Sequence, residues 1–460
     1  MGLYRYEHAR YSMEYFSPGP NSQTRTAGVS SAVFNLISTM IGGGILSLPY
    51  AFEKCGLVLA IVLLFASAIS STFSYYVIVS CSRRGKANSY EDIVRKALGP
   101  WAAFITVVLL VGLTFLTMVG YVILMRDLVV SLASHYIFGR EMIQGEIVSS
   151  LIICAICILP LLLLISMDSL RFTSLCSVLS ISVLIVTIGI RAVRFPNTQN
   201  PKPHAQMESS IEQTSIPLFP SQWTNLLFAF PIICVAFLGQ FNVLPIYREL
   251  RKPTRQRLKK ILGLTIFSTS IVYMIVGTLG FIIGYRTSQP VPANILNMFA
   301  VTDTLVNVGR FGLLLTLLLN FPLLMQPCRR NLSRLFKYWR FGVLYERDED
   351  LALLQSSSQR PNEISTTKPW PAYHVISTVT LLTCAVFMAL ILPDVAIVWN
   401  VMGSFIGLLI SYILPCASYI RIRDKPNSDI RKMSAWVLLI ISAIASLLCS
   451  IISVTSILQM

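Results

Sequence analysis

Residues 39–50 read TMIGGGILSLPY, with Gly42, Gly43 and Gly44 in a row inside a stretch apolar enough to cross a bilayer. Each glycine costs about 1 kcal/mol relative to alanine in a helix interior. In hydrocarbon every backbone N–H and C=O needs a partner, so irregular backbone survives only where it is buried in protein or lines a cavity. Taken alone, the three glycines have two readings: a seam where helices pack closely, or an unwinding that exposes backbone groups. The rest of the chain weighs between them.

The 460 residues are 54% hydrophobic and only 13% charged, against about 25% charged in soluble domains. This is the composition of a polytopic membrane protein, all-α, whose spans each need roughly 20 apolar residues. Eleven long apolar runs are expected to be transmembrane helices: 28–53, 56–82, 101–131, 147–166, 171–193, 221–247, 261–284, 304–326, 371–392, 396–420 and 433–457. Residues 1–27 form a polar tail without the apolar core of a signal peptide. The transmembrane domain is then 28–457, with 327–370 as its long inner loop and 458–460 as the far terminus. Ten cysteines are scattered through the apolar runs. The Cys154/Cys157 pair lacks the partners a zinc or redox site requires, and reads as helix packing.

With a cytosolic N-terminus and alternating sides, most of the 37 Lys and Arg fall on the inner face, in accord with the positive-inside rule. The net charge of +16 is therefore a matter of topology and not of nucleic-acid binding. The densest basic segment, 248–260, contains Arg248, Arg251, Lys252, Arg255, Arg257, Lys259 and Lys260, and suits an anionic lipid leaflet. The inner stretch RRNLSRLFKYWRFG, 329–342, is basic and aromatic and would lie well on the same surface. Arg126 and Asp127 are expected as an interfacial pair near an outer helix end.

A second punctuated span stands five runs after the first. LLFAFPIICVAFLGQFNVLPIYREL, 226–250, contains Pro231, Gly239 and Pro245, with Gln240 and Asn242 beside Gly239. Two interrupted helices at matching places in two halves are the sequence pointer to a binding site built on inverted repeats. With this partner, the triple glycine reads as unwinding. A helix restarting after such a break presents free N–H groups and a positive dipole end, which suit a carboxylate. Carbonyls freed before the break suit a cation or an ammonium, and glycine lets a ligand approach the backbone closely. A zwitterionic α-amino acid matches both poles.

SSAVFNLISTMIGGGILSLPYAF (30–52) and FNVLPIYREL (241–250) resemble the amino acid/auxin permease family, near its sodium-coupled neutral and vacuolar amino acid transporter branches. The resemblance covers about 28–457 and implies a LeuT-like 5+5 inverted repeat with broken helices 1 and 6. It also implies amino acid symport by alternating access, coupled to H+ or Na+, without a cofactor and without enzymatic chemistry. It places substrate at Thr39, Met40, Ile41, Gly42, Gly43 and Gly44, with Phe237, Gln240 and Asn242 from the second break. Asn35 matches the helix 1 asparagine used for sodium, and Thr316 and Asn320, which share a helix face at i, i+4, are the helix 8 cation candidates. Many members carry histidine where this chain has Gln240, which weakens a histidine-based proton relay. No charged residue is expected at the midplane, which favours neutral amino acids. The chain is expected to be a monomer in a vacuolar, lysosomal or plasma membrane. The competing reading is an amino acid sensor that binds substrate and signals with little transport.

Overall fold

A computed structural model describes residues 28–87, 89–164, 170–194, 217–251, 254–287, 289–341, 372–423, 426 and 429–458. The N-terminal tail and the Ser/Thr-rich part of the inner loop lie outside these residues, as does Asp168. Regular structure among the described residues is helical throughout: α1 (Val29–Met40), α2 (Leu48–Cys55), α3 (Leu57–Gly85), α4 (Tyr90–Leu98), α5 (Pro100–Ala133), α6 (Gln144–Leu164), α7 (Leu170–Arg194), α8 (Trp223–Ala236), α9 (Val243–Glu249), α10 (Arg255–Thr287), α11 (Thr304–Phe341), α12 (Ala372–Ile391), α13 (Val395–Val401), α14 (Leu414–Ile422) and α15 (Ile430–Leu458).

Nine stretches among the described residues are long and apolar enough to cross a membrane, and the bent pair Val29–Met40 with Gly43–Cys55 makes a tenth. The remaining expected run, 171–193, is helical within α7, where Ser177–Val193 forms a shorter apolar helix. The long apolar helices have side chains facing outward, such as Ile152, Ile153 and Ile156 on α6 and Leu447 and Ile451 on α15. In water such surface would mark an interface; on these helices it meets lipid.

Two features differ from the sequence reading. α11 continues to Phe341 through Pro322 and Pro327, where the sequence places the end of the span at 326. Tertiary contacts hold its extension: Arg334 pairs with buried Glu91, the rings of Phe104 and Tyr338 stand 4.8 Å apart, and Arg329 donates to the Thr378 hydroxyl at 2.8 Å. The second is α4, a short amphipathic helix in the gap between the expected spans 56–82 and 101–131. Ser89 caps its N-terminus by accepting from the Asp92 N–H; Glu91 and Asp92 occupy its first turn and Arg95 and Lys96 its last, the charge order that the helix dipole favours. The Tyr90 hydroxyl donates to the Ile410 carbonyl at 2.7 Å. Burial pushes that phenol well above its ordinary pKa, so it keeps its proton.

Ile410 lies in π-helical backbone, Met402–Gly407 and Leu409–Ile413, between α13 and α14. π-turns inside helices cluster at functional sites. Here α3 and α4 help to satisfy them: Tyr90 takes the Ile410 carbonyl and Ser74 donates to the Ser411 carbonyl, while Ser71 and Tyr412 join α3 to this segment through a side-chain hydrogen bond at 2.9 Å.

Candidate functional site

α1 ends at Met40. Ile41 and Gly42 leave helical geometry, a 3-10 turn runs over Gly43–Ser47, and α2 resumes at a 50° bend. Gly42 N–H folds back to the Met40 carbonyl at 2.9 Å, and Ile45 N–H reaches the Gly42 carbonyl at 3.3 Å. The Gly43 and Gly44 amides have no backbone acceptor among the described residues; the Tyr121 hydroxyl of α5 accepts from Gly43. The first two glycines answer a need for close approach. A Cβ on Gly42 would stand 2.8 Å from the Tyr121 hydroxyl, and one on Gly43 would stand 2.3 Å from Leu124 Cδ1. Gly44 differs: a Cβ there would meet nothing within 4 Å.

The second span is interrupted at the expected place. α8 ends at Ala236, Gly239 takes an extended φ of −168°, and a 3-10 turn over Gln240–Asn242 leads into α9. Gln240 Oε1 accepts from the Gly239 N–H at 2.9 Å. The two interruptions meet. A Cβ on Gly239 would stand 3.5 Å from Thr39 Cγ2 and 3.7 Å from Met40 Cγ. The Tyr273 hydroxyl of α10 lies 2.8 Å from the Met40 carbonyl and 2.6 Å from the Ala236 carbonyl. A phenol has one proton, so it serves one of these carbonyls at a time. The Tyr75 hydroxyl of α3 donates to the Phe237 carbonyl at 3.1 Å. The junction thus has carbonyl oxygens at the ends of α1 and α8 and amide N–H groups in the turn before α2, the two kinds of group a zwitterion requires.

The structure brings together Thr39 to Gly44 with Phe237 and Gln240, and Asn242 closes the second turn. Thr39 spends its hydroxyl on the Asn35 carbonyl at 2.8 Å. Gln240 is fully buried, and its Nε2 has no partner among the described residues. The cation candidates are more dispersed. Asn35 sits on α1, one turn before Thr39. Thr316 donates to the Gly312 carbonyl of its own helix at 3.0 Å, and Asn320 Nδ2 donates to the Ser177 hydroxyl of α7 at 3.0 Å. α7 is the helix that packs against both α1 and α11. Among the described residues no group of three or more His, Cys, Asp or Glu could hold a metal ion.

Sequence reasoning missed the aromatic frame. Tyr75, Tyr121 and Tyr273 bind the loosened backbone, Phe237 and Tyr273 meet edge to face at 5.3 Å, and the Trp399 ring lies 3.5 Å from where a Gly43 Cβ would stand. The available signal was a tyrosine in the middle of an apolar run, since a buried phenol seeks a hydrogen-bond partner. Arg126 and Asp127 are paired as expected, at 3.5 Å.

Comparison with known proteins agrees with this geometry. The family described as transmembrane amino acid transporter protein matches residues 25–459. The zebrafish (Danio rerio) sodium-coupled neutral amino acid symporter 2 is 23% identical over 445 residues, covering 94% of this chain and 81% of its own. The Arabidopsis thaliana amino acid transporter AVT6E is 25% identical over 438 residues, covering 93% and 83%. The chain therefore belongs to the transmembrane amino acid transporter family, a family of multi-pass membrane transporters and not of enzymes.

Proposed function

We propose that this protein is a secondary active symporter of neutral α-amino acids, working by alternating access in an eleven-span, LeuT-like 5+5 inverted repeat. Substrate sits at the junction of the two interrupted spans. Its carboxylate takes the Gly44 N–H, beside the Gly43 N–H that Tyr121 holds, and its ammonium takes the carbonyls of Met40, Ala236 or Phe237. The observation that supports this reading best is the meeting of the two breaks, with one phenol between Met40 and Ala236 and open space at Gly44. Neutral side chains are preferred because Thr39, Phe237, Gln240 and Trp399, which surround the junction, are uncharged.

The driving ion is Na+ or H+, with Asn35, Thr316 and Asn320 as the cation candidates. One relative is named a sodium-coupled symporter, which adds weight to Na+. A unit charge falling through 100 mV supplies about 2.3 kcal/mol, enough for roughly fifty-fold accumulation at ~1.4 kcal/mol per tenfold. The N-terminus is cytosolic, the protein is monomeric, and the membrane is vacuolar, lysosomal or plasma. The 248–260 segment contacts anionic lipid.

The test is uptake of a labelled amino acid panel into proteoliposomes, with Na+ and pH gradients varied independently. Saturable uptake accelerated by one inward gradient is expected. Tight binding without flux would replace the symporter with an amino acid sensor.

A further inference from the structure

Arg310 of α11 is only 1% exposed. All four of its terminal hydrogen bonds go to neutral acceptors. Nη1 donates to Asn307 Oδ1 at 2.7 Å and the Ala300 carbonyl at 3.3 Å; Nη2 donates to the Leu296 and Phe299 carbonyls, both at 2.8 Å. Its Nε is buried and has no partner among the described residues. Among the described residues no carboxylate lies within 4.0 Å of it. Asp303 acts on it only from beyond that distance and is already paired with Arg191. A buried guanidinium with no carboxylate in contact is costly, and the usual remedy is an anion.

Arg310 forms part of the wall of a cavity of about 290 Å³, together with Arg126, Asp127, Val130, Ser131 and Asn297. The second arginine does not lack partners: Arg126 donates to the carbonyls of Ala389, in the last turn of α12, and of Leu392 and Pro393 just after it. Among the described residues Asp127 is the only carboxylate on the wall, and it is already engaged by Arg126, Asn294 and Asn297. Two guanidiniums against one carboxylate leave the cavity one positive charge in excess. The mouth is marked by exposed Asn297 and by Val301, 40% exposed.

The cavity lies beyond the break, on the side of α2. Leu124 lies against Gly43, and Asp127 follows it by three residues, about 4.5 Å further along the helix axis. None of the residues that wall it belongs to either break.

We infer that this cavity is a binding site for one small anion, a carboxylate or a halide, held by the uncompensated charge of Arg310. A carboxylate could come from an amino acid on its way to the break, and a halide from the medium. The two share their chemistry but are separable by experiment. Neither requires the transport reading, because the cavity and the break have different walls.

The test uses the purified full-length protein in detergent, with thermal unfolding followed at fixed Na+, pH and ionic strength. Lactobionate, too bulky for the cavity, is replaced stepwise by chloride or by propionate. The expected result is a saturable upward shift of the unfolding temperature. It should be lost in Ser131→Asp or Val130→Asp, which place a carboxylate on the same wall. Neither residue holds the loop that Arg310 clamps, and Ser131 donates only to its own helix, at the Asp127 carbonyl. A shift with chloride alone assigns a halide. A shift with propionate and alanine, but not with alaninol, assigns a carboxylate. Gly44→Ala, which crowds the break and leaves the cavity intact, should keep the shift. No shift with either anion, or a shift that survives both aspartate variants, would overturn the assignment.

Discussion

Gly44→Ala separates the role of the broken helix in binding from its role in packing. A methyl at Gly44 meets nothing within 4 Å, whereas one at Gly43 runs into Leu124 Cδ1 at 2.3 Å and one at Gly42 into the Tyr121 hydroxyl at 2.8 Å. Substitution at Gly42 or Gly43 therefore perturbs the fold as well as the site, and Gly43→Leu would report mainly on Leu124. At Gly44 the backbone is not in the left-handed region, so alanine fits, and the loss of glycine's unfolded-state freedom favours the variant by up to about 1 kcal/mol. If the substrate carboxylate must approach the Gly44 amide, the methyl stands in its way. A hydrogen bond to a charged group contributes about 1.5–3 kcal/mol, which at ~1.4 kcal/mol per tenfold is roughly 10- to 150-fold in KM. The assay is concentration-dependent uptake into proteoliposomes, normalised to inserted protein, with thermal unfolding in parallel. A KM unchanged within twofold in a stable Gly44→Ala variant would refute backbone recognition at this turn.

Three further outcomes follow from the same geometry. Tyr273→Phe removes the hydroxyl shared by the Met40 and Ala236 carbonyls and should destabilise the protein by about 1–3 kcal/mol; an unchanged denaturation midpoint would show that water replaces the phenol. Asn35→Ala should alter the activating-ion requirement, and Asn320→Ala should do so only if Ser177→Ala, which removes its hydrogen-bond partner, does not; identical Na+ and pH curves for Asn35→Ala would remove that residue from the cation role. Arg334→Ala strands buried Glu91 and should destabilise the protein more than Glu91→Gln does, by thermal unfolding; equal effects would argue that the extension of α11 does not depend on this pair.

The membrane class, the family and the position of both interruptions were legible in the sequence. Each is a local property: an apolar run long enough to cross lipid admits little besides helix, and GGG or GQFN inside such a run marks the place where helical hydrogen bonding yields. The resemblance to the permease family then pointed to Thr39 to Gly44, with Phe237, Gln240 and Asn242, as the residues around the substrate. It could not say which glycine faces a ligand, because that depends on neighbours distant in the chain: Leu124 and Tyr121 fill the space beside Gly43 and Gly42, and nothing fills it beside Gly44. Nor could it find Tyr75 and Tyr273, whose hydroxyls reach carbonyls 162 and 233 residues away, or the continuation of α11 past Pro322 and Pro327, which contacts with α4 and α5 support. Arg310 makes the same point from the electrostatic side: in the sequence it is one more basic residue, and only the folding of 296–300 around it takes its charge out of water and gives it carbonyls instead of a carboxylate in contact. Local backbone preference is set by a residue and its immediate neighbours and can be read along the chain, whereas desolvation, close contact and partnership arise only when distant segments are brought together.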